Sequence, residues 1–254
     1  MSEGGPSVGR RMEHSRAHRG FAVIDFETTG LSPARGSRAI EIGVVLSDRD
    51  GTITEEHDTL IHAGPAVGPT RIHRISAREV AHAPTFRQIA PQLLELLAGR
   101  VIVAHNAAFD LAFLRTELLA AGYPPGPVVS LCTMQLARHF LPDSRRSLRA
   151  CCEVFGIDLR DAHRASADAR ATAVLLECYI ASSRDRGWWD ARLDRASATP
   201  WPPFRVGRGS HARTAASSSM PVSDGRAPWV PREIARAAAG LPAAELGLRL
   251  PAFV

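Results

Sequence analysis

The chain has 254 residues, 45% of them hydrophobic and 22% charged, the composition of an ordinary globular protein somewhat longer than one core requires. No apolar run nears the roughly 18 residues needed to cross a bilayer, and the Gly-, Ser- and Arg-rich opening lacks the apolar stretch of an export signal, so no membrane span or secretion is expected and the cytoplasm is the expected location. The formal net charge is +5 and all 31 basic residues are arginine. They are spread unevenly: residues 1–20 carry 4 Arg against 2 acids, residues 21–181 carry 16 against 18, and the remainder carries 11 against 6. Basic ends around a slightly acidic body suit a protein that touches a polyanion, and equally suit ends whose charge only keeps the chain in solution. Cys132, Cys151, Cys152 and Cys178 show no C-x-x-C spacing, which indicates neither a disulfide framework nor a zinc knuckle.

In chain order, residues 1–20 read as a disordered basic leader. Phe21 to Phe26 is a short, branched and aromatic run of the kind that forms a buried strand, and it stops at the turn-rich Glu27-Thr-Thr-Gly-Leu-Ser-Pro33. Ala39 to Leu46 and Thr52 to His62 read as strands joined by a hairpin at Ser47 to Gly51. Thr85-Phe-Arg-Gln88 fits a capping box, and Ile89, Leu93, Leu96 and Leu97 then recur at helical spacing up to Gly99. Arg100 to Ala104 is a short strand, Phe109 to Ala121 a helix ended by Gly122, and Val128 to Leu131 another strand. Helices are predicted over Thr133 to Phe140, Leu148 to Phe155 and Ser166 to Ala181. Strands first, then strands interleaved with helices, predict an α/β mixed sheet flanked by helices. From 183 to 254 the texture is Arg-, Pro- and Ser-rich: a flexible basic tail with a linker at 207–228, apolar islands at Trp188-Trp189 and Trp201 to Phe204, and a short helix over 231–239.

Three sets of polar residues sit at element ends. Asp25 and Glu27 are two apart at a strand end, so they share one face of the sheet, an arrangement that calls for a bound metal, a raised pKa or an arginine partner, or else is a solvated strand end. Asp110 falls in the first turn of a helix after a buried strand, where the helix dipole alone would favour it, and Asn106 has the position of an N-cap. His163 precedes a helix whose first turn holds Asp168; both can reach one site, where the histidine can accept a proton and the aspartate can act as a hard oxygen ligand. The other histidines, among them His62, His73, His82, His105 and His139, read as structural or solvent-facing.

In order, Asp25-x-Glu27-Thr-Thr-Gly30-Leu, His105-Asn106-Ala-x-Phe109-Asp110 and His163-Arg164-Ala-x-x-Asp168-Ala resemble the three motifs of the DEDDh (DnaQ-like) 3′-5′ exonucleases, most closely the bacterial DNA polymerase III epsilon (proofreading) subunits and their paralogues. The resemblance covers Phe21 to about Ile180. It implies a ribonuclease H-like fold, an exonuclease domain over 21–182, and release of mononucleotides from 3′ ends by two divalent cations, Mg²⁺ or Mn²⁺. It further implies that Asp25 bridges both ions, that Glu27 and Asp168 complete the site of the water-activating ion, that Asp110 holds the second, and that His163 is the general base. Thr28, Thr29 and Asn106 would meet the substrate. Where relatives carry Gly after the histidine of Ile72-His73-Arg74-Ile75, this chain has Arg74.

The expected activity is a metal-dependent 3′-5′ exonuclease on single-stranded or frayed DNA 3′ ends, in proofreading or in repair and maintenance. Trimming of RNA 3′ ends and a non-catalytic nucleic-acid-binding scaffold stand as alternatives. The tail is expected to dock a DNA polymerase or another replication or repair protein, or to pack on the nuclease, and its removal to spare hydrolysis of short strands.

Overall fold

A computed structural model describes residues 19–159, 161–201 and 229–239. The predicted linker and nearly all of the predicted leader lie outside them. Strands β1 (Phe21–Thr28), β2 (Ala39–Ser47), β3 (Ile53–Leu60), β4 (Val101–Ala104) and β5 (Ser130–Cys132) form one sheet in the order β3-β2-β1-β4-β5. The β1–β2 and β2–β3 pairs are antiparallel, whereas β4 and β5 run parallel to β1. This is the mixed sheet predicted.

Alternation along β1 sorts its side chains onto two cores. Ala22, Ile24 and Phe26 face a cluster made with α3 (Phe86–Leu97) and α4 (Ala107–Ala120). Phe21 and Val23 face the opposite cluster, made with α5 (Thr133–Phe140), α6 (Leu148–Phe155) and the long α7 (Ala165–Ser182). Asp25 and Glu27 continue this second row, so the acids leave the strand on the α7 side. Two short helices, α1 (Thr70–His73) and α2 (Ala77–Val80), precede α3. The sequence reading had not placed them, although the Ser76-Ala-Arg-Glu79 capping box closes as its spacing allows: Ser76 N donates to Glu79 Oε2 at 2.7 Å.

Other differences are local. Helix α4 begins two residues before the predicted Phe109 because Asn106 takes a left-handed conformation, φ 72°, that turns the chain straight from β4 into the helix. Strand β5 is shifted toward its C-terminus because the parallel register pairs Ile102 with Ser130 and Ala104 with Cys132. Past residue 182, α8 (Arg186–Ala198) buries Trp189 and Leu193 in the α7 cluster, with Trp189 edge-on to Phe21 at 6.2 Å. The Trp188-Trp189 island is part of this helix, half buried and buried respectively. The short helix predicted over 231–239 is α9 (Arg232–Ala238). Among the described residues, no helix is long and apolar enough to cross a membrane.

Candidate active site

The site forms where β1 ends and the starts of α4 and α7 meet it. Gly43 of β2 lies opposite Asp25 in the ladder, and a Cβ there would stand 2.3 Å from the Ala165 carbonyl oxygen. Only the missing side chain lets the first turn of α7 press onto the sheet, which carries Asp168 to the acids of β1. His163, just before that helix, adopts φ 68°, a conformation rare for a non-glycine residue and costing on the order of 1–3 kcal/mol unless its surroundings enforce it. Its backbone N–H donates to Asp168 Oδ2 at 3.1 Å. Ligand atoms of Glu27, His163 and Asp168 all lie within 4.8 Å of one another.

Asp110 enters from the other side of the strand. Buried in the first turn of α4, it accepts a hydrogen bond from the Phe26 backbone N–H, Oδ1 at 3.1 Å. Burial dominates the electrostatics of all four acids. It pushes Asp25 well above the usual carboxylate range, reinforced by the charges of Asp110, Asp168, Glu27 and Glu41. Glu27 rises to about 8 through burial and then the nearby Glu41 and Asp168, with Arg232 opposing. Asp110 rises to about 7 by burial against the Phe26 hydrogen bond. Asp168 is raised by burial, partly offset by the His163 N–H. Of the outcomes open for the Asp25–Glu27 pair, raised pKa values are what the protein alone provides, and a cation is what would relieve them.

The predicted substrate residues line the same end of β1. Thr28 Oγ1 donates to the Gly30 carbonyl at 2.8 Å, and Thr29 Oγ1 accepts from Arg38 N at 2.9 Å. Both hydroxyls therefore hold the turn after β1. Asn106 is exposed and its side chain makes no cap hydrogen bond, so capping does not account for it. His105 is structural, its ring contacting Thr133 Oγ1 and the Arg146 carbonyl, each at 2.9 Å.

Two charged residues at the site went unread in the sequence. Glu41, fully buried on β2, stands directly opposite Glu27 in the ladder and accepts from the Ala165 backbone N–H, Oε2 at 3.2 Å. A lone acid in the apolar run Ala39 to Leu46 is a readable signal of a buried charge that needs a partner. That partner, Arg232, comes from the far end of the chain, and nothing in its local sequence marks it.

Residues 22–176 match the RNase_T exonuclease family model. The chain is 36% identical over 169 residues to the DNA polymerase III epsilon subunit of Treponema pallidum, covering 65% of this chain and 78% of that protein. It is also 36% identical over 163 residues to a PolC-type DNA polymerase III of Clostridium perfringens, but spans only 11% of that much longer chain. Among solved structures, exonuclease X in complex with 5′ overhanging duplex DNA superposes with a TM-score of 0.53 at 27% identity, covering 70% of this chain and 99% of that one. Exonuclease I shares the fold, with a TM-score of 0.56 at 18% identity, and is covered to 42%. With the acids, the histidine and the mixed sheet in place, the chain belongs to the RNase_T exonuclease family and is an enzyme of the 3′-5′ exonuclease class.

Proposed function

We propose that the protein removes nucleoside monophosphates from DNA 3′ ends, with two divalent cations, Mg²⁺ or Mn²⁺, held among Asp25, Glu27, Asp110 and Asp168, and with His163 as general base. The observation that carries this reading is the meeting of Glu27, His163 and Asp168 within 4.8 Å, beside Asp110, raised by burial, and Asp25, raised by burial and by the charge of Asp110. The donor set fits hard cations: oxygen ligands suit Mg²⁺ and Mn²⁺, whereas zinc favours nitrogen and sulfur. One buried oxygen, Asp168 Oδ1, has no hydrogen-bond partner and is free to serve as a ligand. When bound, such ions activate water and neutralise charge on the leaving oxygen.

The protein's own groups do the rest. The Phe26 N–H fixes the rotamer of Asp110 and the His163 N–H that of Asp168, so the carboxylates are oriented before substrate arrives. The His163 ring, beside Glu27 and Asp168, takes the proton of the attacking water. With their hydroxyls held in the turn, Thr28 and Thr29 offer backbone to the terminal nucleotide, and the exposed Asn106 amide stands free for the strand.

DNA as substrate is supported by the polymerase III epsilon relatives and by the duplex DNA named with exonuclease X. A replication or repair polymerase recruited through the C-terminal tail is part of the proposal, as are a nuclease domain whose catalytic residues fall within 21–182, a cytoplasmic location, and a role in proofreading or repair. The test uses 5′-labelled single-stranded DNA and RNA oligonucleotides with Mg²⁺ or Mn²⁺, against EDTA and Asp25→Asn. A one-nucleotide ladder on DNA that both controls abolish is expected. Faster shortening of RNA favours the RNA-trimming alternative, and binding without shortening favours a scaffold.

A further inference from the structure

Residues 229–239 return to the nuclease body beside the site. They lie beside the last residues of the edge strand β3: Leu60 N donates to the Val230 carbonyl at 3.1 Å, Val230 N to Thr59 Oγ1 at 2.9 Å, and Arg232 N to Asp58 Oδ2 at 3.3 Å. Trp229 packs edge-on against His57 at 5.9 Å. Val230 and Ala235 complete a small core with Ile40, Leu60, Ile75 and Val80.

The polar contacts are unusual for a tail. The Arg232 side chain is 5% exposed, with Nη1 3.4 Å from Glu41 Oε2, and Nη2 donates to the His73 carbonyl. Glu233 pairs with Arg164, the residue that caps α7. Arg236 pairs with Glu79 at 2.6 Å and donates to the Arg74 carbonyl at 3.1 Å. A buried guanidinium and a buried carboxylate each impose a large desolvation penalty, which their mutual contact offsets only in good geometry, so neither is tolerable without the other. The same contacts bear on Arg74, whose φ of 58° lies in the region that favours glycine. The segment holds the carbonyls of Arg74 and of its neighbour His73, which fixes a turn that an arginine would not adopt freely.

We infer that residues 229–239 form a strap belonging to the catalytic unit, and that Arg232 is a positioning residue for His163 and Asp168, acting through Glu41 and the first turn of α7. The path is continuous. Arg232 holds Glu41, the Glu41 carboxylate holds the Ala165 N–H, Glu233 holds Arg164, and the Arg164 carbonyl accepts from Asp168 N at 3.0 Å. Loss of the strap frees the start of α7 while leaving every proposed ligand in the chain. This rests on reading that site as the exonuclease centre.

The test is made on the full chain with Arg232→Met and Glu233→Ala. Three quantities are measured: kcat and KM on a DNA oligonucleotide, amide exchange of residues 163–168 by mass spectrometry, and Mn²⁺ affinity by calorimetry. For Arg232→Met, kcat falls by about 10–100-fold, KM for the strand stays within about threefold, and Mn²⁺ affinity drops by about tenfold, as for supports of metal ligands. Exchange over 163–168 speeds up by about tenfold while β1 keeps its protection. A folded Arg232→Met protein with wild-type kcat and wild-type exchange at 163–168 overturns the inference. If that variant does not fold, Glu233→Ala decides, since both side chains of its ion pair are 26% exposed: slower turnover with faster exchange supports the strap, and no change in either overturns it. Failure of the wild-type protein to shorten any oligonucleotide would instead sink the exonuclease reading, and the exchange comparison would still judge the strap.

Discussion

Glu27→Gln keeps the shape of the side chain and removes one charge from a cluster that is costly without metal. Glu27 is 9% exposed, and burial with the neighbouring Glu41 and Asp168 lifts it from 4.5 to about 8. Between those values the folded, metal-free protein keeps a proton that the unfolded chain has released. Unfolding then releases a proton, and stability falls as pH rises through that window. Above pH 8 the cost attached to this one group is on the order of 5 kcal/mol. The charges of Asp168 and Asp110 also raise it, and it raises Asp25 in turn, so the acids do not titrate independently and removing a single charge recovers only part, about 2–3 kcal/mol. In EDTA, Glu27→Gln should therefore melt about 5–10 °C above wild type at pH 8 and within about 2 °C of it at pH 5. Mg²⁺ should raise the wild-type Tm at pH 8 more than that of the variant. Thermal melts from pH 5 to 9, with and without metal, read all three. A variant no more stable than wild type in EDTA at pH 8 would refute the claim that the acids repel one another in this cage.

Asp25→Asn and Asp168→Asn should each lower kcat by at least about 100-fold with unchanged circular dichroism, exceeding the loss usual for residues that merely support a metal ligand. His163→Ala should lower kcat by about 10²–10⁴-fold and regain part of it as pH rises and hydroxide replaces the lost base; a pH–rate profile parallel to wild type would deny His163 that role. Trp189→Ala empties a buried site in α8 and should cost about 3–5 kcal/mol, visible as a lowered Tm, whereas an unchanged Tm would mean that α8 does not belong to the folded body.

The sheet and most of its helices were legible because their signals are local. Phe21 to Phe26 and Ala39 to Leu46 announce strands by apolar runs, and Thr85 to Leu97 announces a helix by capping and period. Position alone left structural readings open for Asp25, Glu27, Asp110, His163 and Asp168; it was the resemblance of their three motifs to an exonuclease family that singled them out, and the topology gathers these element ends at one place. Illegible were features whose cause is distant in sequence. Helix α8 scarcely registers as amphipathic, because Trp189 and Leu193 lie amid Arg and Asp, so composition alone assigned it to the tail. Arg232 looks like any tail arginine until the chain folds back 191 positions to Glu41. These contacts argue against the expectation that deleting residues 183–254 spares the nuclease, since the deletion would unpack the Trp189 cluster and leave Glu41 without its cation.

Two glutamates directly across an antiparallel ladder repel, and a sheet normally avoids the pair. Here Glu27 and Glu41 occupy that register, in β1 and the fully buried β2. The two resolve their charge differently. Glu41 is answered from within, by Arg232 and the Ala165 N–H, and so is bound into the scaffold of α7. Glu27, together with Asp25 and Asp168, has no such full answer and is held above the usual carboxylate range; on the proposed reading a cation would supply it. Had the arginine paired with Glu27 instead, it would have stood where the proposed cation is to bind. Setting the guanidinium one strand away lets the fold tolerate a dense cluster of acids while leaving Glu27 and its neighbours open to a cation on the proposed reading. Exchanging the roles by Glu41→Gln should thus strengthen the pull of Arg232 on Glu27. Mn²⁺ affinity, read by calorimetry, should fall by about tenfold, although Glu41 itself is no ligand, and an affinity equal to wild type would show that the arginine does not set the charge of the site.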